Sequence, residues 1–150
     1  MKLAFERQQT GDAVKDAILS DNEQAVSTVW QAVAYGDPKK SGMGFYYTGA
    51  ALRGVHHYAK DNNARQTSWA GTLRYFDRKV TVFDKTSGAL TYCVDESRAN
   101  VKDLKTKKVK VVATSPDSYV YYNAGVKKDE RGVWQIWSLH EDRGSKKCQP

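Results

Sequence analysis

Long apolar segments are missing from this 150-residue sequence. No apolar run approaches the ~20 residues that a membrane-spanning helix needs. The first residues, MKLAFERQQTGD, contain no apolar core of signal-peptide length. We interpret residues 1–20 as a polar lead-in that can carry an extra helix, or as a start that follows a removed targeting segment. Residues 21–150 then form one domain, because this length suits a single hydrophobic core.

Recognisable catalytic and metal-binding motifs are also missing. The sequence has no GxSxG, no HExxH and no glycine-rich loop that could cradle a phosphate. Its two cysteines and three histidines show no ligand spacing, so we expect no metal site and no cofactor. An enzyme built on this chain would have to rely on isolated acids or bases.

Two residues are weak candidates for such acid–base chemistry. His56 lies one helical turn after Leu52 and is predicted to face partly inward, although such a position more often holds a packed, hydrogen-bonded histidine. Asp95 shares a strand face with Cys93 and could enter a pocket, although a strand-end carboxylate paired to a lysine is the more ordinary arrangement. The remaining groups are expected to be solvated or are weaker candidates: His57, His140, Glu96 and Asp77.

Acidic residues are outnumbered, and the formal net charge is +7. Five lysines form one group, the lysine cluster: Lys102, Lys105, Lys107, Lys108 and Lys110. A solvated basic surface explains this charge, and the alternative is an anionic partner such as cell-wall polymer, lipid headgroups or nucleic acid. Nucleic acid is the least expected, because VKDLKTKKVKVV lacks the interleaved aromatics and glycines of nucleic-acid modules. We expect this stretch to enter a strand with its lysines outward.

The first half of the sequence has helical periodicity. Val26, Val29 and Val33 form an apolar stripe together with Trp30, and Gly36 followed by a proline ends it. Ser20 and Glu23 resemble a capping box, which predicts that a helix restarts at Asp21. A second helical stretch, FYYTGAALRGVHHYAKDNNA, follows a loop.

The second half changes to the period of two that is typical of strands. From about Gln66 onward, alternating segments are separated by turn residues, with Gly71 as a bend or bulge. These segments predict five or six mostly antiparallel strands. Helices followed by strands indicate an α+β fold with the helices packed on one face of the sheet.

Aromatic residues recur in both halves. We expect several of them to line a ligand cavity or, as is more common, to fill the core: Trp30, Tyr58, Trp69, Tyr75, Tyr92 and Trp134. In YVYYN, Tyr119 and Tyr121 alternate with Val120 and Tyr122, so one pair must face outward. An exposed tyrosine row would be a partner surface.

The two cysteines are Cys93, inside a predicted strand, and Cys148, in the tail. An even count fits a single disulfide, and two free thiols are the alternative. We favour the disulfide, because an exposed cysteine in a mobile tail is a liability. A bridge would stabilise the fold by about 4 kcal/mol on the chain-entropy model and would indicate an oxidising compartment.

Four segments resemble one known group of proteins: the first helix, YYTGAALRGVHHYAKD leading into a strand, YCVDES, and GVWQIWSLHEDRGSKKC. From Asp21 to Cys148 the chain resembles the small NTF2-like (SnoaL-like, cystatin-like) secreted proteins and lipoproteins of actinobacteria. The resemblance implies a curved sheet around a long helix, a cone with a pocket, export, and a disulfide matching Cys93 to Cys148. It also implies a lipid-modified cysteine upstream, which would belong to the full-length precursor. It implies no particular reaction.

These observations favour an exported, secreted or cell-surface, non-catalytic domain that binds a partner protein or cell-envelope component through its sheet or pocket. The main alternative is a small-molecule-binding protein or an isomerase- or dehydratase-like enzyme that uses the cone, with His56 or Asp95 as its polar group. A lesser alternative is anionic-polymer binding by the lysine cluster. NTF2-like folds also form homodimers through the sheet, which is a further expectation for this chain.

Overall fold

The computed structural model describes residues 1–7 and 9–150, and within them it has three helices and six strands. In chain order these are β1 (Lys2–Phe5), α1 (Ala13–Tyr35), α2 (Met43–Tyr46), α3 (Gly49–Ala64), β2 (Thr67–Val82), β3 (Ser87–Asp103), β4 (Val109–Lys110), β5 (Tyr119–Lys128) and β6 (Trp134–Arg143). Most of the strands therefore follow the helices, as the change of periodicity near Gln66 predicts.

The strands form one open, mixed sheet in the order β1-β2-β3-β5-β6, and β4 pairs with the far end of β3. Strand β1 is parallel to β2, and the other pairs are antiparallel. Register shifts after Thr72 and Phe76 in the pairing of β2 with β3, and at Gly125 in the pairing of β5 with β6, bend the sheet. The predicted α+β fold, with helices packed on a curved, mostly antiparallel sheet, is confirmed.

Helix α1 is longer than predicted. Asp12 caps its start, because the carboxylate accepts hydrogen bonds from the N–H groups of Val14 and Lys15 at 2.9 and 3.1 Å. The helix then runs unbroken to Tyr35, so the predicted restart at Asp21 is wrong. A strong cap nine residues upstream, at Asp12, makes a second start unnecessary. Asp21 instead accepts the N–H of Trp134 at 2.9 Å, which fixes α1 to the start of β6.

The amino-terminal residues that the sequence indicates as a polar lead-in include strand β1. Phe5 of β1 stacks on Tyr75 of β2 with ring centroids 4.6 Å apart. Arg78 of β2 is almost fully buried and donates to the Glu23 carboxylate at 2.6 Å and to the Leu19 carbonyl at 2.9 Å. These contacts tie β2 to α1, so the start of the chain packs with the rest.

The core lies between the helices and the concave, inner face of the sheet. The predicted stripe of α1 is buried there, with Val26, Val29 and Val33 all less than a tenth exposed. Trp134 and Ile136 of β6 are also buried in this core. Core positions on α1 and on β6 thus pack on the same side of the sheet.

The chain end crosses the convex, outer face of the sheet. After β6, Gly144 donates to the Tyr119 carbonyl at 2.9 Å, and Cys148 forms a disulfide with Cys93 of β3. Both cysteines are buried. The favoured disulfide is therefore present, and it holds the tail against β3 and β5.

Candidate functional site

A cavity of about 440 Å³ opens between the inner face of the sheet and helices α1 and α3. Six elements contribute to this cone cavity, and most of its wall is apolar or aromatic. Its lining residues are Val26, Val29, Trp30, Tyr47, Ala50, Ala51, Gly54, Val55, Tyr58, Leu73, Tyr75, Tyr92, Val94, Glu96, Tyr122, Ser138, Leu139, His140, Glu141 and Arg143. The cavity is a cleft in which one small molecule would be surrounded on several sides.

The sheet side of the cavity is a row of tyrosine rings. Tyr75, Tyr92 and Tyr122 come from the adjacent strands β2, β3 and β5. The ring centroids of Tyr92 and Tyr122 lie 5.2 Å apart in a stacked arrangement, and those of Tyr75 and Tyr92 lie 6.0 Å apart. Trp30 of α1 donates its indole N–H to the Tyr75 hydroxyl at 3.2 Å. These contacts fix the rings side by side along the inner face of the sheet.

The tyrosine hydroxyls around the cavity stay neutral at ordinary pH. Burial raises the pKa of Tyr92 to about 12, although the Asn22 amide and the Arg78 guanidinium act in the other direction. Burial also raises the pKa of Tyr47, Tyr75 and Tyr122 well above the ordinary tyrosine value. A neutral phenol can donate or accept a hydrogen bond, but it does not act as a base near neutral pH.

Charged groups gather at the mouth of the cavity. Arg143 of β6 donates to both carboxylate oxygens of Glu96 of β3, at 2.6 and 3.3 Å, and to the Asp117 carbonyl at 2.9 Å. Tyr122 donates its hydroxyl to Glu141 at 3.0 Å. The Glu96 carboxylate raises the pKa of Arg143, so the guanidinium keeps its charge. The charged group that the mouth offers to the polar end of a ligand is thus the Arg143 guanidinium, which is already paired with Glu96.

Helix α3 forms the opposite side of the mouth. Ala50, Gly54 and Tyr58 are exposed there and line the cavity. A side chain added at Gly54 would meet no atom within 4 Å, and its backbone is helical. The absence of a side chain at this position leaves the entrance wide.

Neither candidate acid–base residue enters the cone cavity. His56 lies in an open groove on the other side of α3, with Arg53, His57 and Lys60. The cavity face of α3 is formed by residues such as Ala51 and Val55, and His56 is turned about 100° away from Val55 because an α-helix has 3.6 residues per turn. His56 is half-buried, and it does not line the cone cavity.

Asp95 is on the outer face of the sheet, opposite to its neighbours Val94 and Glu96, which line the cavity. Its carboxylate lies 3.6 Å from the Arg74 guanidinium and accepts the N–H of Ser97 at 2.9 Å. It is a paired carboxylate, with an arginine in place of the expected lysine. Entry of Asp95 into the pocket is therefore excluded by the alternation of the strand.

The aromatic candidates divide between cavity, core and outer face. Four of them line the cavity: Trp30, Tyr58, Tyr75 and Tyr92. Trp134 is buried in the core, and Trp69 packs against the core without lining the cavity. Tyr119 and Tyr121 lie half-buried on the outer face, where the Lys147 ammonium of the tail sits 4.4 Å from the Tyr121 ring. The tail therefore covers part of the surface that the tyrosine row predicts for a partner.

Of the two residues at the mouth, the sequence indicates Glu96 only as a weaker candidate and does not indicate Arg143. Glu96 continues the alternation of Tyr92 and Val94, which was a usable signal for its inward position. Arg143 carries no such signal, because an irregularity near Trp137 shifts the alternation of β6. The lysine cluster lies away from the cavity, in the hairpin between β3 and β4.

Among the described residues, no group of three or more histidine, cysteine or acidic side chains is arranged to hold a metal ion. Over the same residues, no helix is both long and apolar enough to cross a membrane.

No family model and no curated protein matches the sequence. Among solved structures, the chain is similar to the intermembrane-space region of the chloroplast protein ARC6, at 13% identity over 92% of this chain and 99% of that chain, with a TM-score of 0.56. It is also similar to a proposed aromatic ring hydroxylase from Novosphingobium aromaticivorans, at 12% identity over 86% of this chain and 90% of that chain, with a TM-score of 0.56.

A domain with a cystatin-like fold from Nostoc punctiforme matches more weakly, at 15% identity over 91% of this chain and 79% of that chain, with a TM-score of 0.49. At these identities a likeness concerns the fold and not the activity. The actinobacterial origin stays a prediction. A curved sheet that closes as a cone over two helices and an open cavity is the NTF2-like, cystatin-like α+β fold, and this chain has it.

Proposed function

We propose that the protein is an extracytoplasmic, non-catalytic binding domain whose cone cavity holds one small, largely apolar molecule. The observation that carries this proposal is the open cavity of about 440 Å³ with its apolar and aromatic wall. Cavities that bind small molecules commonly measure about 300–1,000 Å³ and have a few polar groups on apolar walls. The large side chains around this cavity line it and do not fill it.

The wall of the cavity favours a flat, ring-containing ligand. The rings of Tyr75, Tyr92 and Tyr122 offer aromatic contacts to a bound ring, and their neutral hydroxyls can bond to a polar substituent. At the mouth, the Arg143 guanidinium, which is paired with Glu96, can also donate a hydrogen bond to an anionic end of the ligand. The ligand class is therefore an aromatic or polycyclic compound with one polar or acidic end.

Binding is favoured over isomerase or dehydratase chemistry. Such chemistry requires an acid or base that faces the bound molecule and is free to exchange a proton. The tyrosines hold their protons, Glu96 is paired with Arg143, and His140 and Glu141, which also line the cavity, are exposed at its rim. His56 and Asp95, which were the candidates for this role, lie outside the cavity.

The disulfide supports a location outside the reducing cytosol. Disulfides persist in oxidising compartments, and Cys93 and Cys148 are the only cysteines in the sequence. A secreted or cell-surface domain fits this chemistry. Lipid anchoring of a full-length precursor stays a prediction.

A protein partner on the outer face of the sheet is the second candidate function. Trp137 is 42% exposed there, its indole lies over Gly125, and the Lys127 ammonium is 4.6 Å from its ring. Tryptophan is enriched among the residues that contribute most of the binding energy at protein interfaces. The homodimer that the resemblance predicts would use the same part of the outer face, around Trp137 and beside the tail.

Blocking the mouth tests the cavity proposal. Fluorescence titration with 8-anilinonaphthalene-1-sulfonate, which combines flat rings with one anionic group, measures binding to the native chain. We expect Gly54→Leu to weaken binding at least tenfold, because the new side chain stands in the entrance. The same change should raise stability by about 0.7 kcal/mol, because leucine favours a helix more than glycine does.

His57→Leu is the matched control, since it adds a leucine to the same helix on the side away from the cavity. It should leave the affinity within a factor of two. Equal affinities of the native chain and Gly54→Leu would refute the cavity as the site. Mass spectrometry of a ligand recovered after long incubation separates binding from catalysis, because a chemically altered ligand would refute the non-catalytic assignment.

A further inference from the structure

The hairpin between β3 and β4 has a well-defined shape. At its tip, the Asp103 carboxylate accepts the N–H groups of Lys105 and Thr106 at 2.9 and 2.7 Å. Lys107 adopts a left-handed backbone conformation with φ 64°. The N–H of Leu104 donates to the Gln66 carbonyl at 2.9 Å, which ties the tip to the start of β2. The side chains of the hairpin are therefore displayed from a supported loop.

The charge on this hairpin is almost entirely positive. Residues 102–112, named here the basic hairpin, contain five lysines and a single acidic residue, Asp103. The Asp103 carboxylate is engaged by backbone N–H groups of its own loop, which lowers its pKa. In the described part of the chain, none of the five lysines forms a salt bridge. The positive charge is thus free to meet an anionic surface.

Apolar side chains are exposed between these lysines. Val109, Val111 and Val112 are 49%, 77% and 42% exposed. The Asn100 side chain accepts the N–H of Val112 at 3.0 Å and holds this segment beside the sheet. Three exposed valines in four consecutive positions are not needed for the core, and they form an apolar edge within a basic surface.

We propose that the basic hairpin docks on the surface of an anionic phospholipid bilayer. The lysines would lie at the level of the phosphates, and the valines would enter the boundary between headgroups and acyl chains. A soluble polyanion would satisfy the lysines but would leave the valines in water. A nucleic-acid surface would call for stacking aromatics, and the basic hairpin has none. None of these residues lines the cone cavity, so docking leaves its mouth free.

Vesicle co-sedimentation tests this proposal. The chain is mixed with phosphatidylcholine vesicles that contain either no phosphatidylglycerol or 30% of it, at low and high salt. Binding is expected only with phosphatidylglycerol and should weaken as salt rises. The triple variant Lys105→Gln, Lys107→Gln, Lys108→Gln should bind about 100-fold more weakly, because each lysine near an anionic leaflet contributes about fivefold.

Two matched controls separate docking from general attraction. The triple variant Lys60→Gln, Lys85→Gln, Lys128→Gln removes the same charge from exposed positions elsewhere and should bind within threefold of the native chain. Val111→Ser should weaken vesicle binding several-fold, whereas Val14→Ser, at a valine that is 40% exposed on α1, should not.

Two results would overturn the proposal. One is an equal loss in both lysine triple variants, which would indicate attraction by net charge alone. The other is a Val111→Ser variant that binds vesicles as well as the native chain does, together with tight binding of the native chain to heparin. That combination would indicate a soluble polyanion as the partner. Far-ultraviolet circular dichroism checks that each exposed substitution leaves the fold intact.

Discussion

Reduction of the disulfide between Cys93 and Cys148 should remove a large share of the stability of this fold. The bridge closes a loop with a sequence separation of 55. In the chain-entropy model a loop of this length restricts the unfolded chain enough to stabilise the fold by about 4 kcal/mol. Since small domains are stable by about 5–15 kcal/mol in all, this is a substantial fraction.

The measurement is guanidinium unfolding followed by tryptophan fluorescence, with and without tris(2-carboxyethyl)phosphine. Reduction removes the crosslink without deleting either side chain, so the difference measures the crosslink more directly than a cysteine substitution does. For 150 residues the unfolding entropy is about 0.3 kcal/mol per kelvin, so the same change should lower the thermal midpoint by about 13 °C. Hydrogen exchange should show the tail after Arg143 opening first, because only a few contacts then hold it: the hydrogen bonds of Gly144 and Gln149 and the contact of Lys147 with the Tyr121 ring.

The double variant Cys93→Ala, Cys148→Ala is the control, and its unfolding should not respond to reductant. If reduction lowers the unfolding free energy of the native chain by less than about 1 kcal/mol, the loop-entropy reasoning is refuted. A response of the cysteine-free variant to reductant would show that the measured shift has another source.

Two further predictions follow from backbone geometry and from the buried tyrosines. Gly71→Ala should destabilise the fold by about 3 kcal/mol or more, because Gly71 has φ 101° and a new Cβ would lie 2.0 Å from the Arg98 carbonyl oxygen. Gly44→Ala, in open space on α2, is the neutral control for urea unfolding, and equal midpoints for the two variants would contradict this account. The contribution of Tyr92 to the unfolding free energy should also be constant up to about pH 10 and should fall between about pH 10 and 12, because unfolded tyrosine ionises near pH 10 while burial raises the pKa of Tyr92 to about 12. Tyr92 contributes about 1.4 kcal/mol per pH unit to this fall, and tyrosinate absorbance that rises fully before unfolding would contradict the buried hydroxyls.

The order of the elements could be predicted from local sequence signals. The stripe of Val26, Val29 and Val33 predicts a helix, and its burial is confirmed. The alternation of Leu90, Tyr92 and Val94 predicts a strand with Cys93 on the opposite face, and β3 has this arrangement. These predictions succeed because the periods of helices and strands depend on neighbouring residues alone.

Signals that depend on distant partners were misinterpreted. Ser20 and Glu23 have the spacing of a capping box, but Glu23 pairs with Arg78, which is 55 residues away in the chain. The four residues of β1 show no strong pattern of their own. They form a strand because they pair in parallel with β2, which lies in the middle of the sequence. His56 was placed by its distance from Leu52, and the rotation of α3 about its axis is set by packing against β6 and α1.

By itself, the sequence determined the fold class, the aromatic residues available to a cavity, and the pair of cysteines. Each of these depends on composition or on a local period. Only the tertiary structure decided that the tyrosine rings line an open cavity instead of filling it, and that Glu96 meets Arg143 at its mouth. The physical reason is the curvature of the sheet. Irregularities in the pairing of β2 with β3 and of β5 with β6 set how far the strands bend away from α1 and α3, and this separation is not encoded in any single segment.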